Sequence, residues 1–365
     1  MPLVSSIYVN LSDVRAYTAE PIKCTVEFSK LTISDPTILS HDTGSALLCK
    51  FHHLKRIDLL ELHGDLDRLV REITRTGLNL EALNLSNQRR VHVEGLKDMG
   101  AKMKSLRILI CSRLSFLQNS DLIVIADSFP LLEEVDFSYP EQDYGSLSEL
   151  DSINGFTNSG PFRVTDAGIA VLSLKLRGLI KCLEAADFLT DQNMIDLSQY
   201  LHNLTSINLN SCSTLKNPTF FTLTKNCPSL EEIQMERTGL GKEDPPTVLE
   251  KNPQIRSLKL AWNKCLNDET LKKLRFVCPK IGELEVNGCL ELRTIWTSSD
   301  HSELEVLRAG SGINNEGLSM IGQSCRALQH LDLKSCLGVT TRGVKEVVGS
   351  CKGLREVKEL LQCEY

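Results

Sequence analysis

The chain has 365 residues, a formal net charge of −6 and no strong compositional bias. That acidic balance argues against non-specific nucleic-acid binding, which needs a basic face. No apolar run approaches the ~20 residues of a membrane span, and residues 1–10 lack the basic start and apolar core of a secretory leader, so a cytoplasmic or nuclear chain is expected.

Residues 1–30 carry no repeat. Val26, Phe28, Leu31 and Ile33 predict a first edge strand, closed by a turn at Asp35-Pro36. One pattern fills residues 31–365. Its first apolar position falls at Leu54, Leu80, Leu106, Leu132, Leu204, Leu230, Ile255, Ile281, Leu304, Leu328 and Leu354. The spacings are 26, 26 and 26, then 72 across a gap, then 26, 25, 26, 23, 24 and 26. Each copy reads L-x-x-L-x-L, a short strand with alternate side chains on one face. Apolar positions at helical spacing follow, as in SDLIVIADS at residues 120–128.

The gap holds two units and roughly 20 surplus residues. The surplus is YPEQDYGSLSELDSINGFTNSGPFR, residues 139–163, predicted as an inserted loop overhanging the strand ends. Thr165-Asp166 then starts a helix. The next strand has two readings: Leu179, Cys182 and Glu184 inward, or Ile180, Leu183 and Ala185 inward. The second avoids burying Glu184. A helix follows from Thr190, with Met194, Leu197 and Leu201 inward. Asp244-Pro245-Pro246 replaces one helix start, where proline is tolerated. Residues 328–351 show the complete unit. Leu328, Leu331, Leu333 and Cys336 form the strand, Gly338 turns the chain, and Thr340 or Thr341 caps a helix with Val344, Val347 and Val348 inward. After Leu354 and Val357 the next inward position is Glu359, so that unit is expected to fray.

One strand and one helix cannot bury these leucines, each worth about 1.5–3 kcal/mol when fully buried. Stacked copies can, and the period is that of the leucine-rich repeat. The expected fold is an α/β solenoid with a parallel sheet on the concave face and helices on the convex face. Cys212, Cys289 and Cys336 lie eight residues after the first strand position, and Cys227, Cys278, Cys325 and Cys351 three before the next one. Phe129 and Asn252 replace that second cysteine elsewhere. These are expected as buried, reduced thiols acting as small hydrophobes rather than disulfides or metal ligands.

The strand-end cysteine, helix exits such as NCPSL and VCPKI, and helix starts such as LTDQNM and VTDAGI resemble the cysteine-containing leucine-rich repeats of F-box proteins. FSKLTISDPTIL followed by LNLSN and FPLLEEVDFS resembles the plant F-box/LRR proteins in particular. The resemblance covers residues 28–360. It implies a substrate-recognition arm of an SCF-type ubiquitin ligase, with protein breakdown as the outcome. In that family the F-box docks on the Skp adaptor and the repeats hold the substrate. Residues 1–27 carry no F-box pattern, and residues 1–6 match at most its last turn. This chain is therefore expected to bind a protein substrate, and the Skp-type adaptor only if an F-box is present. The alternative is a stand-alone leucine-rich-repeat scaffold or inhibitor.

No G-x-x-x-x-G-K-S/T loop, G-x-G-x-x-G turn, H-E-x-x-H helix or G-x-S-x-G elbow occurs. His52-His53 reads as a solvated pair. No enzymatic activity, cofactor or metal is expected. What remains is a binding surface, because residues two, four and six places after each first leucine face outward from the sheet. They include Glu134, Asp136, Glu232, Gln234, Glu236, Glu283, Glu285, His330 and Asp332, interrupted by Lys259, Arg308 and Lys334. The plain reading is a solvated sheet face. The functional reading is an acidic patch that attracts a basic segment of a protein partner. Arg308 is counted with that surface. So is Trp262, at the rim seven places after Ile255, either as a contact residue or packed on a Tyr- or Pro-containing loop.

Overall fold

The computed structural model describes residues 6–10, 30–34, 54–60, 66–88, 93–114, 118–138, 166–175, 180–182, 189–242, 248–295, 303–334 and 336–358. The expected insert at 139–163, His52-His53, Pro245-Pro246, Leu183, Ala185 and Glu359 lie outside these residues. The chain divides into two compact units, Met1–Cys182 and Leu183–Tyr365.

The first unit holds seven strands, β1 (Ser6–Asn10), β2 (Lys30–Ser34), β3 (Arg56–Leu60), β4 (Ala82–Asn84), β5 (Ile108–Ile110), β6 (Glu134–Asp136) and β7 (Ile180–Cys182). Its helices are α1 (Leu66–Arg75), α2 (Val93–Lys102), α3 (Asn119–Ser128) and α4 (Asp166–Lys175). The second unit holds β8 (Ser206–Asn208), β9 (Glu232–Gln234), β10 (Ser257–Lys259), β11 (Glu283–Glu285), β12 (Val306–Arg308), β13 (His330–Asp332) and β14 (Glu356–Lys358). Its helices are α5 (Asp191–Ser198), α6 (Asn217–Asn226), α7 (Asp268–Val277), α8 (Asn315–Ser324) and α9 (Thr341–Ser350). Within each unit the strands pair in chain order and all run parallel. Among the described residues no helix is long and apolar enough to cross a membrane.

The short strands repeat one burial pattern, with the middle residue buried and its two neighbours half-buried. Ile207, Ile233, Leu258, Leu284, Leu307 and Leu331 are register partners in turn, and all are buried. This inward column runs the length of β8–β13, and burial of its side chains drives the stacking. The first-position leucines and isoleucines from Leu54 to Leu328 are likewise buried. Leu354, just before β14, and Val357 on it are only half-buried, in line with the fraying expected of that unit.

Three details depart from the sequence expectation. Lys30–Ser34 is not an edge strand, because Ser6–Asn10 pairs with its other side. Ile7 pairs with Leu31 and Leu31 with Ile57, so the spacing continues to residue 7, within the stretch read as carrying no repeat. Val348 is 48% exposed; the inward residues of α9 are Gly343 and Val347, with Val344 half-buried. Thr340 does hold the N-cap position, but its hydroxyl accepts from Asn315 Nδ2 instead of from its own helix. The strand left open in the sequence places Ile180 opposite inward-facing Val135, after which the register shifts.

The helix starts explain the Thr-Asp and Asn-Asp motifs. Thr190 caps α5 by accepting from the Asn193 N–H, as N-cap hydroxyls do. The next residue, Asp191, reaches forward a full repeat and accepts from the Lys216 and Thr219 N–H groups at 2.9 and 3.2 Å. Asn217 accepts from the Gly241 N–H, Asp268 from Arg293 and Thr294, and Asn315 from Thr340. In the first unit Asp67 accepts from the Gly95 N–H. Five helix starts are thus tied to backbone of the following repeat.

The repeat-position cysteines are free and buried, apart from the exposed Cys265. Burial pushes the Cys227, Cys289, Cys325 and Cys336 thiols up to about 12, because a thiolate there has lost its water. Their thiols bond backward: Cys289 Sγ donates to the Leu260 carbonyl, and Cys351 Sγ to Cys325 and, more distantly, Gly322. Asn252 takes the second cysteine's place by donating to the equivalent carbonyls, Cys227 and Thr224. Brief iodoacetamide treatment of the folded protein at neutral pH is expected to label Cys265 and leave these four unlabelled. Peptide mapping checks this; labelling of Cys227 before Cys265 would show an open stack.

Candidate functional site

Nine of the eleven candidate residues lie in the second unit, on or beside β9–β13; Glu134 and Asp136 lie on β6 in the first. Asp136 and Asp332 have a local task. Each accepts from the N–H two residues on, Ser138 at 2.8 Å and Lys334 at 2.9 Å. Asn84 and Asn208 do the same with Ser86 and Asn210. These side chains close the strand exits and are less available to a partner.

The acidic sheet face of the second unit is a row of ion pairs. Lys259 Nζ lies 2.6 Å from Glu232 Oε1, and Ser206 and Gln234 also donate to that carboxylate. Arg308 lies 2.6 Å from Glu283 Oε1 and 3.4 Å from Glu285 Oε2, while Ser257 donates to Glu283 Oε2. His330 Nδ1 is 3.3 Å from Glu356, which Lys358 also approaches. Acidic β9 and β11 therefore alternate with β10 and β12, which carry the cations. Burial raises the Glu232 carboxyl, but Lys259 and the donated hydrogen bonds outweigh it and hold the group below its ordinary value. A lowered carboxyl adds stability above the ordinary carboxylate range, lost as pH falls through the lowered value. The Glu283 hydrogen bond, with the fields of Glu285, Glu283 and Asp332, raises Arg308 against its burial. The face is thus largely compensated, and its long-range pull on a basic segment is smaller than its carboxylates suggest.

The rim at the strand exits differs. Asn87, Arg113, Ser211, Arg237, Trp262 and Gly288 occupy one repeat position with φ between 52° and 73°. The left-handed region disfavours all of these except glycine. The inter-repeat bond holds them there: the Arg237 N–H donates to Ala261 and the Trp262 N–H to Asn287, at 3.0 and 2.8 Å. Trp262 is 46% exposed. The Arg237 guanidinium, from the preceding repeat, lies over its ring at 5.7 Å from the centroid. Gly288, from the following one, leaves the ring its place, since a Cβ there would stand 2.5 Å from ring carbon Cε3. Among the described residues the packing partners are thus a guanidinium and a glycine, and no Tyr or Pro loop. Next to Gly288, Asn287 keeps a buried Oδ1 with no hydrogen-bond partner among the described residues. Arg237 and Gly288 were missed in the sequence, although both share the repeat position of Trp262.

Parallel strands paired in chain order, each followed by a loop and commonly a helix, with an aliphatic column inside, define a leucine-rich-repeat fold of the α/β class. No family model matches the chain. It is similar to the F-box protein SKIP1 of Arabidopsis thaliana, 21% identical over 289 residues that make up 72% of this chain and 87% of that protein. Among solved structures, a chain of the yeast Rad7–Elc1 complex superposes with a TM-score of 0.58 at 16% identity, over 92% of this chain and 81% of that one. A chain of the TLR13–ssRNA13 complex gives 0.53 at 14% identity, over 92% and 42%. These structural likenesses show the fold.

Proposed function

We propose that the chain is a non-enzymatic protein-binding module, cytoplasmic or nuclear, that holds a protein substrate for an SCF-type ubiquitin ligase. The observation that carries this is the likeness to an F-box protein along most of that protein's length. A rigid sheet face beside an exposed tryptophan rim supplies a surface of the right kind. A stand-alone scaffold is the second reading, favoured by Ser6–Asn10, which joins the parallel array as a strand on β2.

The test is co-precipitation with purified Skp adaptor, using the 365-residue chain and the same chain with a complete F-box fused ahead of Met1. Fusion at Met1 keeps β1, which pairs with β2. The expected result is adaptor recovery with the fused form, and ubiquitination in cells of proteins that co-purify with both forms. Adaptor recovery without ubiquitination of any co-purifying protein would favour the scaffold. Stoichiometric recovery by the unfused chain would show that it carries its own docking element.

A further inference from the structure

We infer that the rim where β9, β10 and β11 leave the sheet takes an acidic peptide segment, with a carboxylate on Arg237 and Lys264 and a neighbouring apolar side chain on Trp262 and Leu290. This rests on the protein-binding reading and names the chemistry of what is bound.

On the sheet face the cations of this region are already spent: Lys259 and Arg308 each hold carboxylates at 2.6 Å. On the rim, Arg237 and Lys264 are exposed and pair with no carboxylate among the described residues. Arg237 is stacked on Trp262, which fixes the guanidinium plane and leaves its N–H groups for a planar acceptor. A carboxylate fits that fork with two parallel hydrogen bonds. Two acids share these loops, half-buried Glu236 and exposed Glu291.

Trp262 adopts the left-handed conformation and stays 46% exposed, while Leu290, two residues after Gly288, is 54% exposed. The inter-repeat hydrogen bond accounts for that backbone, as it does at Arg113 and Ser211, but not for an indole left so open at this position. Contact with a partner does, since tryptophan and arginine dominate binding energetics at interfaces. The unpartnered Asn287 Oδ1 adds an acceptor that a peptide N–H satisfies once the side chain turns outward. A basic segment would meet Arg237 and Lys264 first and be repelled.

The probe is a random-peptide display library panned on the immobilised full chain. Selected peptides are then measured by fluorescence polarisation against the wild type, Arg237→Glu, Lys264→Glu and Trp262→Ala. We expect enrichment of aspartate or glutamate beside an aromatic or aliphatic residue. Each variant should lower affinity by roughly tenfold or more, the scale of one charge-assisted contact, with an unchanged melting temperature. Should Trp262→Ala fold poorly, the two charge variants decide alone, since both side chains are exposed. Enrichment of lysine or arginine, equal binding to the variants, or no enrichment would each overturn the proposal. None of these outcomes touches the ligase reading, which the adaptor experiment decides without peptides.

Discussion

Leu258→Asp is expected to unfold the second unit. Leu258 is fully buried on β10, between its register partners Ile233 and Leu284. The substitution forfeits about 1.5–3 kcal/mol of apolar burial. It also places a carboxylate where no cation reaches, at a further cost of several kcal/mol. The sum approaches the whole ~5–15 kcal/mol that stabilises a domain. Circular dichroism should show loss of the cooperative thermal transition. Leu258→Met, which keeps volume and polarity, should cost less than about 1.5 kcal/mol. An aspartate variant that melts with the wild type would refute the register.

Asn263→Leu should cost about 3–5 kcal/mol. Asn263 is fully buried and uses the whole of its amide. Its Nδ2 donates to the Met235 and Leu260 carbonyls at 2.6 and 2.9 Å, and its Oδ1 accepts from the N–H and hydroxyl of Thr238, both at 2.9 Å. Leucine fills the volume and strands these partners, at ~1–3 kcal/mol for each buried group left unmade. Asn263→Asp keeps the acceptor but sets a second carboxyl oxygen against the Met235 and Leu260 carbonyls in a fully buried place, so at neutral pH it should cost at least as much as the leucine variant. Urea unfolding measures all three proteins. A leucine variant within about 1 kcal/mol of the wild type would show that water replaces the side chain.

The aliphatic column was legible because one residue type recurs at one spacing, and a missed register would have put Glu283 or Glu285 inside. The helix start at Thr190 was legible from its Thr-Asp pair, whereas the asparagine caps Asn267 and Asn314 were not read. Ser6–Asn10 was not, since a lone pair, Ile7 and Val9, carries the pattern and no clear helix follows. The ion pairs escaped because each strand was read by itself. Laid in register, Lys259 faces Glu285 and Gln234, and Arg308 faces Glu285 and Asp332. Asn263 stands where neighbouring repeats carry Cys212 and Cys289, a substitution that signals a stronger donor to the same carbonyl of the preceding repeat, as Asn252 does for the other cysteine position. The Arg237–Trp262–Gly288 cluster needed the left-handed exit, which no local residue preference announces when Ser, Arg and Trp all occupy it.

The carboxylates and amides at the helix starts give the second unit a direction. Asp191, Asn217, Asp268 and Asn315 each hold backbone donors of the copy that follows, through Lys216, Gly241, Arg293 and Thr340. Trimming from the carboxyl side returns a side chain to water, where a carboxylate or amide is well solvated. Trimming from the amino side removes the template on which the next loop is shaped. The array is therefore built to lose copies gracefully at one end only, and serial truncations should tolerate carboxyl-side losses better than amino-side ones of equal length.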